Sequence, residues 1–69
     1  MRIDYERLLI SVKNCIREED WGRYDFSTIL KTATPCWDNT CILVKGSNFS
    51  MVFDKVSYEL KQYEGFDIV

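Results

Sequence analysis

Tyr5, Leu8, Leu9, Val12, Cys15 and Ile16 recur at steps of one, three and four residues, with Glu6, Arg7, Lys13, Asn14 and Arg17 between them. That spacing predicts an amphipathic helix with one apolar stripe. Asp4 stands where an N-cap is needed and its charge suits the positive end of the helix dipole. Ile10 falls off the stripe and is expected in solvent. The acids Glu18, Glu19 and Asp20 oppose the dipole at the far end, so the helix should fray there as a solvated end and stop by Gly22.

The period then changes. Tyr24, Phe26, Thr28 and Leu30 alternate with Asp25, Ser27 and Lys31, which predicts a strand; a short helix capped by Asp25 and carrying Phe26, Ile29 and Leu30 is the alternative. Residues 32–39, TATPCWDN, read as a loop because of Pro35 and the Asp-Asn pair. Cys41–Val44 is a continuous apolar run and predicts a buried strand.

From Thr40 to Tyr63 two incompatible patterns share the chain. In one, Gly46-Ser47 forms a type II′ turn, Phe49, Met51 and Phe53 alternate along a returning strand, and a final helix starts near Asp54. In the other, Ser47 caps a long helix with Phe49, Val52, Phe53, Val56, Leu60 and Tyr63 on one face, ending at Gly65, with a short last strand at Phe66–Val69. The long helix accounts for more positions and is favoured. Either way the expected fold is α+β: one small domain over 1–69, with two helices packed on one side of a mainly antiparallel sheet of two to three strands.

Composition and charge then exclude several functions. With 69 residues, 46% of them hydrophobic, the chain can build one core but not a large enclosed pocket. It contains no histidine and three cysteines, too few ligands for a zinc site. The missing imidazole also removes the usual general base near neutral pH, so no catalytic residue, metal or cofactor is expected. Cys15, Cys36 and Cys41 form an odd set without an export signal, which fits reduced thiols in a cytoplasmic protein; Cys36 and Cys41 could bridge if oxidised. Nine basic against eleven acidic residues give a net charge of −2 without segregation, leaving no basic patch for a phosphate backbone.

Lys45-Gly46-Ser47, between a strand and a helix or turn, could offer N–H groups to an anion, although capping or turn formation explains it more simply. The same stretch resembles the end of the Mur ligase that adds the terminal dipeptide to peptidoglycan precursors, which has a strand running into Leu-Val-Lys-Gly-Ser and then a helix with Met, Val and Leu spaced like Met51, Val56 and Leu60. The resemblance implies a local strand–turn–helix and, lacking an ATP-binding domain, no ligase activity.

Aromatic residues are the most suggestive functional feature. Trp21, Tyr24, Trp37, Tyr58 and Tyr63 fall in loops or on helix flanks, and Trp and Tyr often anchor interfaces. Trp21, Tyr24, Trp37, Asp38, Tyr58 and Glu59 are therefore the expected partner-binding residues. The function that follows by elimination is a small inhibitor or regulator, of the phage or mobile-element type, that docks sterically on another protein with a basic surface. A nucleic-acid module is the alternative, since helix, three strands and helix is similar to the order of a double-stranded RNA-binding domain, though the lysine cluster of that family's last helix is missing. A homo-oligomeric structural protein is the third.

Overall fold

The computed structural model describes residues 2–65. Helix α1 (Tyr5–Asn14) is followed by a 3₁₀ helix (Glu18–Arg23), helix α2 (Phe26–Lys31) and strands β1 (Thr34–Cys36), β2 (Cys41–Lys45), β3 (Ser50–Asp54) and β4 (Leu60–Glu64). The strands form one antiparallel meander in the order β1-β2-β3-β4. The fold is α+β as the pattern predicts, with one strand more than expected. The short strand expected at Phe66–Val69 lies outside the described residues.

Helix α1 starts as its sequence dictates: the Asp4 carboxylate accepts from the N–H groups of Glu6 and Arg7, each at 3.2 Å. Leu8, Val12, Cys15 and Ile16 are buried, while Ile10 is exposed as its place off the stripe requires. Tyr5, at the head of the stripe, is also exposed. Beyond α1 the chain tightens into the 3₁₀ helix rather than fraying. The reason is Trp21, whose indole Nε1 donates to the carbonyls of Lys13 at 3.1 Å and Ile16 at 2.9 Å. The Lys13 carbonyl lies in the last turn of α1, where helix geometry leaves acceptors without intrahelical donors, and Ile16 follows just beyond the C-cap Cys15.

The alternation from Tyr24 to Leu30 does not produce a strand. Asp25 caps α2 instead, accepting from the Thr28 N–H at 3.2 Å and the Thr28 hydroxyl at 2.7 Å. Those bonds, the side-chain one foremost, hold the Asp25 carboxyl below its ordinary range. The turn of helix buries Ile29, which the strand pattern would have placed opposite Phe26.

The segment expected as a loop contains β1. Its Pro35 is opposite Ile42, and β1 is an edge strand, where a residue without an N–H is tolerated. Beyond it the ladder is continued by a side chain: the Thr32 hydroxyl accepts from the Lys45 N–H at 2.7 Å.

The long helix expected from Ser47 to Gly65 is absent; β3 and β4 occupy its place. Gly46 N–H donates to Phe49 O at 2.9 Å, so the reversal is centred on Ser47-Asn48, one residue later than the expected II′ turn. Gly46 must be glycine, because a Cβ there would overlap the Phe49 ring. Val56 and Tyr63, expected on the buried stripe of the helix, are exposed. The helix start expected near Asp54 survives as one turn. The Asp54 carboxylate accepts from Val56 and Ser57 N–H at 2.7 and 3.0 Å, and Tyr58 N–H donates to Asp54 O at 2.9 Å. These backbone donors, Ser57 first, hold the Asp54 carboxyl below its ordinary range. Tyr58 then takes a φ of 61° and ends the turn.

Both helices lie on one face of the sheet. Leu8, Val12, Cys15, Ile16 and Ile29 share a cluster with Ile42, Val44, Phe49, Met51, Phe53 and Tyr58. Ile42 opposes Phe53 and Val44 opposes Met51, so strand alternation sends these four to the helical side. The other face carries the row Thr34, Leu43, Val52, Gln62 across all four strands and the row Cys36, Cys41, Asp54 across three. Cys41 and Val52 are buried yet stand outside the core cluster.

Candidate functional site

The six residues expected to bind a partner are not brought together. Trp21 and Tyr24 lie beside the helices, Trp37 and Asp38 on the β1–β2 turn, and Tyr58 and Glu59 on the β3–β4 connection.

Three of the aromatics are held by the fold. Trp21 is half-buried, uses its one donor on the end of α1, and has the Lys13 ammonium 5.0 Å from its ring centre. Tyr24 is half-buried and meets Phe49 edge-on at 6.1 Å between ring centres. Tyr58 is a correction: it is buried in the core cluster rather than exposed on a helix flank. Its hydroxyl accepts from Asp4 N–H at 3.0 Å, its carbonyl accepts from the Ser11 hydroxyl at 2.7 Å, and the Arg7 guanidinium lies 4.5 Å from its ring centre. Tyr58 thus fastens α1 to the β3–β4 connection. Glu59 is exposed beside it.

Trp37 differs from all three. Half its surface is exposed, at 50%, and it begins a run of three residues with positive φ: Trp37 at 51°, Asp38 at 55° and Asn39 at 64°. Asn and Asp enter the left-handed region readily; a bulky tryptophan seldom does. A bulky residue held there costs about 1–2 kcal/mol, whereas Asp38 and Asn39 are the central pair of a type I′ turn, which requires that conformation. The turn is held by Thr40, whose N–H and hydroxyl both donate to Trp37 O, at 3.1 and 2.6 Å. Thr40 O in turn accepts from Lys55 N–H at 3.2 Å, which ties the tip to the β3–β4 connection. The result is a large ring and a carboxylate presented at a braced hairpin tip, next to the face of the sheet that bears no helix.

Elsewhere an open groove of about 410 Å³ lies between α2 and the β2–β3 turn. Ile29 and Phe49 line its buried part, and Arg23, Lys45 and Ser47 are exposed around it. Lys45-Gly46-Ser47 therefore lines a cavity, but not as an anion cradle: the Lys45 and Gly46 N–H groups are engaged by Thr32 and Phe49. The turn reading of these residues stands.

Two exposed rings were not among the expected binding residues: Tyr5, placed on the apolar stripe of the first helix, at 51%, and Tyr63, named among the suggestive aromatics but also placed on the stripe of the long helix, at 49%. Tyr5 was legible as the first residue after the cap, where a helix has only half its neighbours. Tyr63 was not, for reasons that lie in the β4 bulge. Among the described residues no group of three or more Cys, Asp or Glu side chains is placed to hold a metal ion, and no helix is long and apolar enough to cross a membrane.

Comparison with known proteins finds no matching family model, no similar curated protein and no similar solved structure. The local likeness to a Mur ligase terminus does not hold in three dimensions, since the segment after Lys-Gly-Ser is strand β3 and not a helix. The order similar to a double-stranded RNA-binding domain is overturned as well, because β4 runs where that order needs its last helix.

Proposed function

We propose that this chain is a small protein-binding regulator or inhibitor, of the phage or mobile-element type, that acts in the cytoplasm by docking on another protein and performs no chemistry of its own. The observation that carries this reading is the Trp37 turn. A tryptophan held in the left-handed region with half its surface in water stands outside the core cluster, and strained backbone of this kind concentrates at binding and switch sites. Tryptophan is also the side chain that most often supplies the binding energy at the centre of an interface. Asp38 beside it and a net charge of −2 favour a partner with a basic surface and speed the encounter at low salt.

The test is site-specific photocross-linking in the host cell. A benzoylphenylalanine at position 37 is expected to trap one protein reproducibly, and the same probe at the exposed Ile10, on the far side of α1, is not. Trp37→Ala in the untagged chain should abolish co-purification of that protein. Equal trapping from positions 37 and 10, or co-purification that survives Trp37→Ala, would refute the role given to this turn.

A further inference from the structure

Two of the three cysteines meet in the fold although four residues separate them in sequence. Cys36 and Cys41 are direct partners in the β1–β2 register and both are free thiols. Their type of pairing follows from the sheet. Gly46 N–H donates to Phe49 O, and counting back along β2 from that bond turns the amides of Val44 and Ile42 toward β3 and those of Leu43 and Cys41 toward β1. Lys45, whose N–H reaches Thr32 on the β1 side, fits the same alternation. Cys36 and Cys41 are therefore a hydrogen-bonded cross-strand pair, for which the Cα atoms lie about 5.5 Å apart. Disulfides span Cα separations of about 4.4–6.8 Å and Cβ separations of about 3.5–4.5 Å. Residues opposite one another in a ladder hold their Cβ atoms about 4.5–5.5 Å apart, at the long end in a hydrogen-bonded pair, so the strands must close by about 1 Å at this edge for the bond to form. The two Cβ atoms project to the same face. That face is the one without helices.

We propose that Cys36 and Cys41 are a redox-responsive pair, which closes an intrachain disulfide across the β1–β2 hairpin when a low-molecular-weight disulfide such as oxidised glutathione is present. The two thiols have different access, and this sets the order of events. Cys36 is partly exposed and Cys41 is 3% exposed, so the reagent reaches Cys36. The Cys36 thiolate attacks one glutathione sulfur and breaks the glutathione disulfide, releasing one glutathione thiolate and leaving a mixed disulfide. Cys41, deprotonated in turn, attacks the Cys36 sulfur and expels the second glutathione. Two protein thiols are oxidised, one glutathione disulfide is reduced to two thiols, and the two protons pass from the cysteines to the glutathiones. The Thr40 hydroxyl lies 3.7 Å from the Cys41 sulfur, but its one proton is held by Trp37 O at 2.6 Å and must turn from it to meet the developing thiolate.

Burial first, and then the neighbouring Cys41, raise the Cys36 thiol above its ordinary value of 9.0. The first attack is accordingly slow at neutral pH and accelerates as pH climbs through and beyond that value. The bond would close the base of the Trp37 turn, but its formation does not depend on what that turn binds. Cys15 takes no part, being buried under α1 on the opposite face.

The experiment treats the full-length chain with oxidised glutathione and maps thiols by non-reducing proteolysis and mass spectrometry. The expected product of the folded chain has lost two hydrogen atoms, carries no glutathione, and links Cys36 to Cys41 alone. Cys41→Ser should stop at the glutathione adduct on Cys36, and Cys36→Ser should leave Cys41 unmodified. The same treatment in urea should scramble Cys15 with the other two, which ties the selectivity to the fold. A stable glutathione adduct on Cys36 of the unsubstituted chain, free thiols under strongly oxidising ratios, or Cys15 cross-links in the folded chain would each overturn the proposal.

Discussion

Strand β2 ends in a tight reversal at each end, and each reversal holds an aromatic residue. At Lys45–Ser50 the ring is Phe49: it folds back over Gly46 into the core, where it is 7% exposed, and no residue of that turn has a positive φ. At Cys36–Cys41 the ring is Trp37: it is 50% exposed and stands on three consecutive left-handed residues. One turn gives its ring to the fold and keeps a relaxed backbone. The other strains its backbone and gives its ring to solvent. Left-handed φ at Asp38 and Asn39 is what a type I′ hairpin turn requires; the same φ at Trp37 is not, and this contrast is why Trp37, rather than the more numerous rings near the helices, carries the functional reading.

The contrast can be broken most forcefully at Phe49. Truncating a buried phenylalanine costs about 3–5 kcal/mol, and a chain of this size has about 3–10 kcal/mol in total at the usual stability per residue. Phe49→Ala is therefore expected to leave the protein largely unfolded at 37 °C, seen as loss of the urea transition. A shift of the midpoint corresponding to less than about 1 kcal/mol would mean that the β2–β3 turn is no more a part of the core than the β1–β2 turn, and the distinction would fail.

How far the sequence could have shown this differs between the two turns. The helical stripe of α1, its Asp4 cap, the strand at Cys41–Val44 and the solvent position of Ile10 were all legible, because each depends on neighbours within one or two turns of chain. The segment after Asp54 was not. The β4 strand places Leu60 opposite Phe53 and Gln62 opposite Val52, so Lys61 is an extra residue and the register slips there. The bulge separates Leu60 from Tyr63 by a helical step of three, and the single turn at Asp54–Tyr58 sets Val56 four before Leu60. A strand with a bulge thus imitates the period of a helix. Trp37 was picked out correctly as a loop tryptophan, but its left-handed backbone was not readable, because Asp-Asn predicts that conformation only for themselves. The place expected for Tyr58, exposed on a helix flank, failed for the opposite reason: it is buried by contacts to Asp4 and Ser11, far away in sequence.

A smaller effect sharpens the comparison at Tyr58, which has the same left-handed φ as Trp37 but is buried. Its hydroxyl accepts from Asp4 N–H, and a hydrogen bond of this type contributes about 0.5–1.5 kcal/mol net. Tyr58→Phe keeps the ring in the core and removes only that acceptor, so it should destabilise by about 1 kcal/mol, measured by urea denaturation. Amide exchange should speed up at the start of α1 and not at the β1–β2 turn. Equal acceleration at both would mean that the two left-handed sites belong to one cooperative unit, and Trp37 would then be structural.

The smallest expected effect is the most discriminating. Trp37 is neither a member of the core cluster nor among the partly buried side chains packed against it, and an exposed substitution away from caps and buried networks usually stays within about 0.5 kcal/mol. Trp37→Ala should therefore leave the urea midpoint almost where it was. Trp37→Gly goes further: it removes the ring and also relieves a φ of 51°, at a site where glycine has no steric penalty. The freer unfolded chain of glycine offsets part of that gain, so this variant should equal or slightly exceed the alanine variant in stability. If both variants instead lose as much as Tyr58→Phe or more, the tryptophan ring supports the hairpin from outside the core, and its exposure reflects incomplete packing rather than presentation to a partner. If they do not, the strain at the tip has no structural beneficiary within the described residues, and binding is the remaining reason for a tryptophan to stand there.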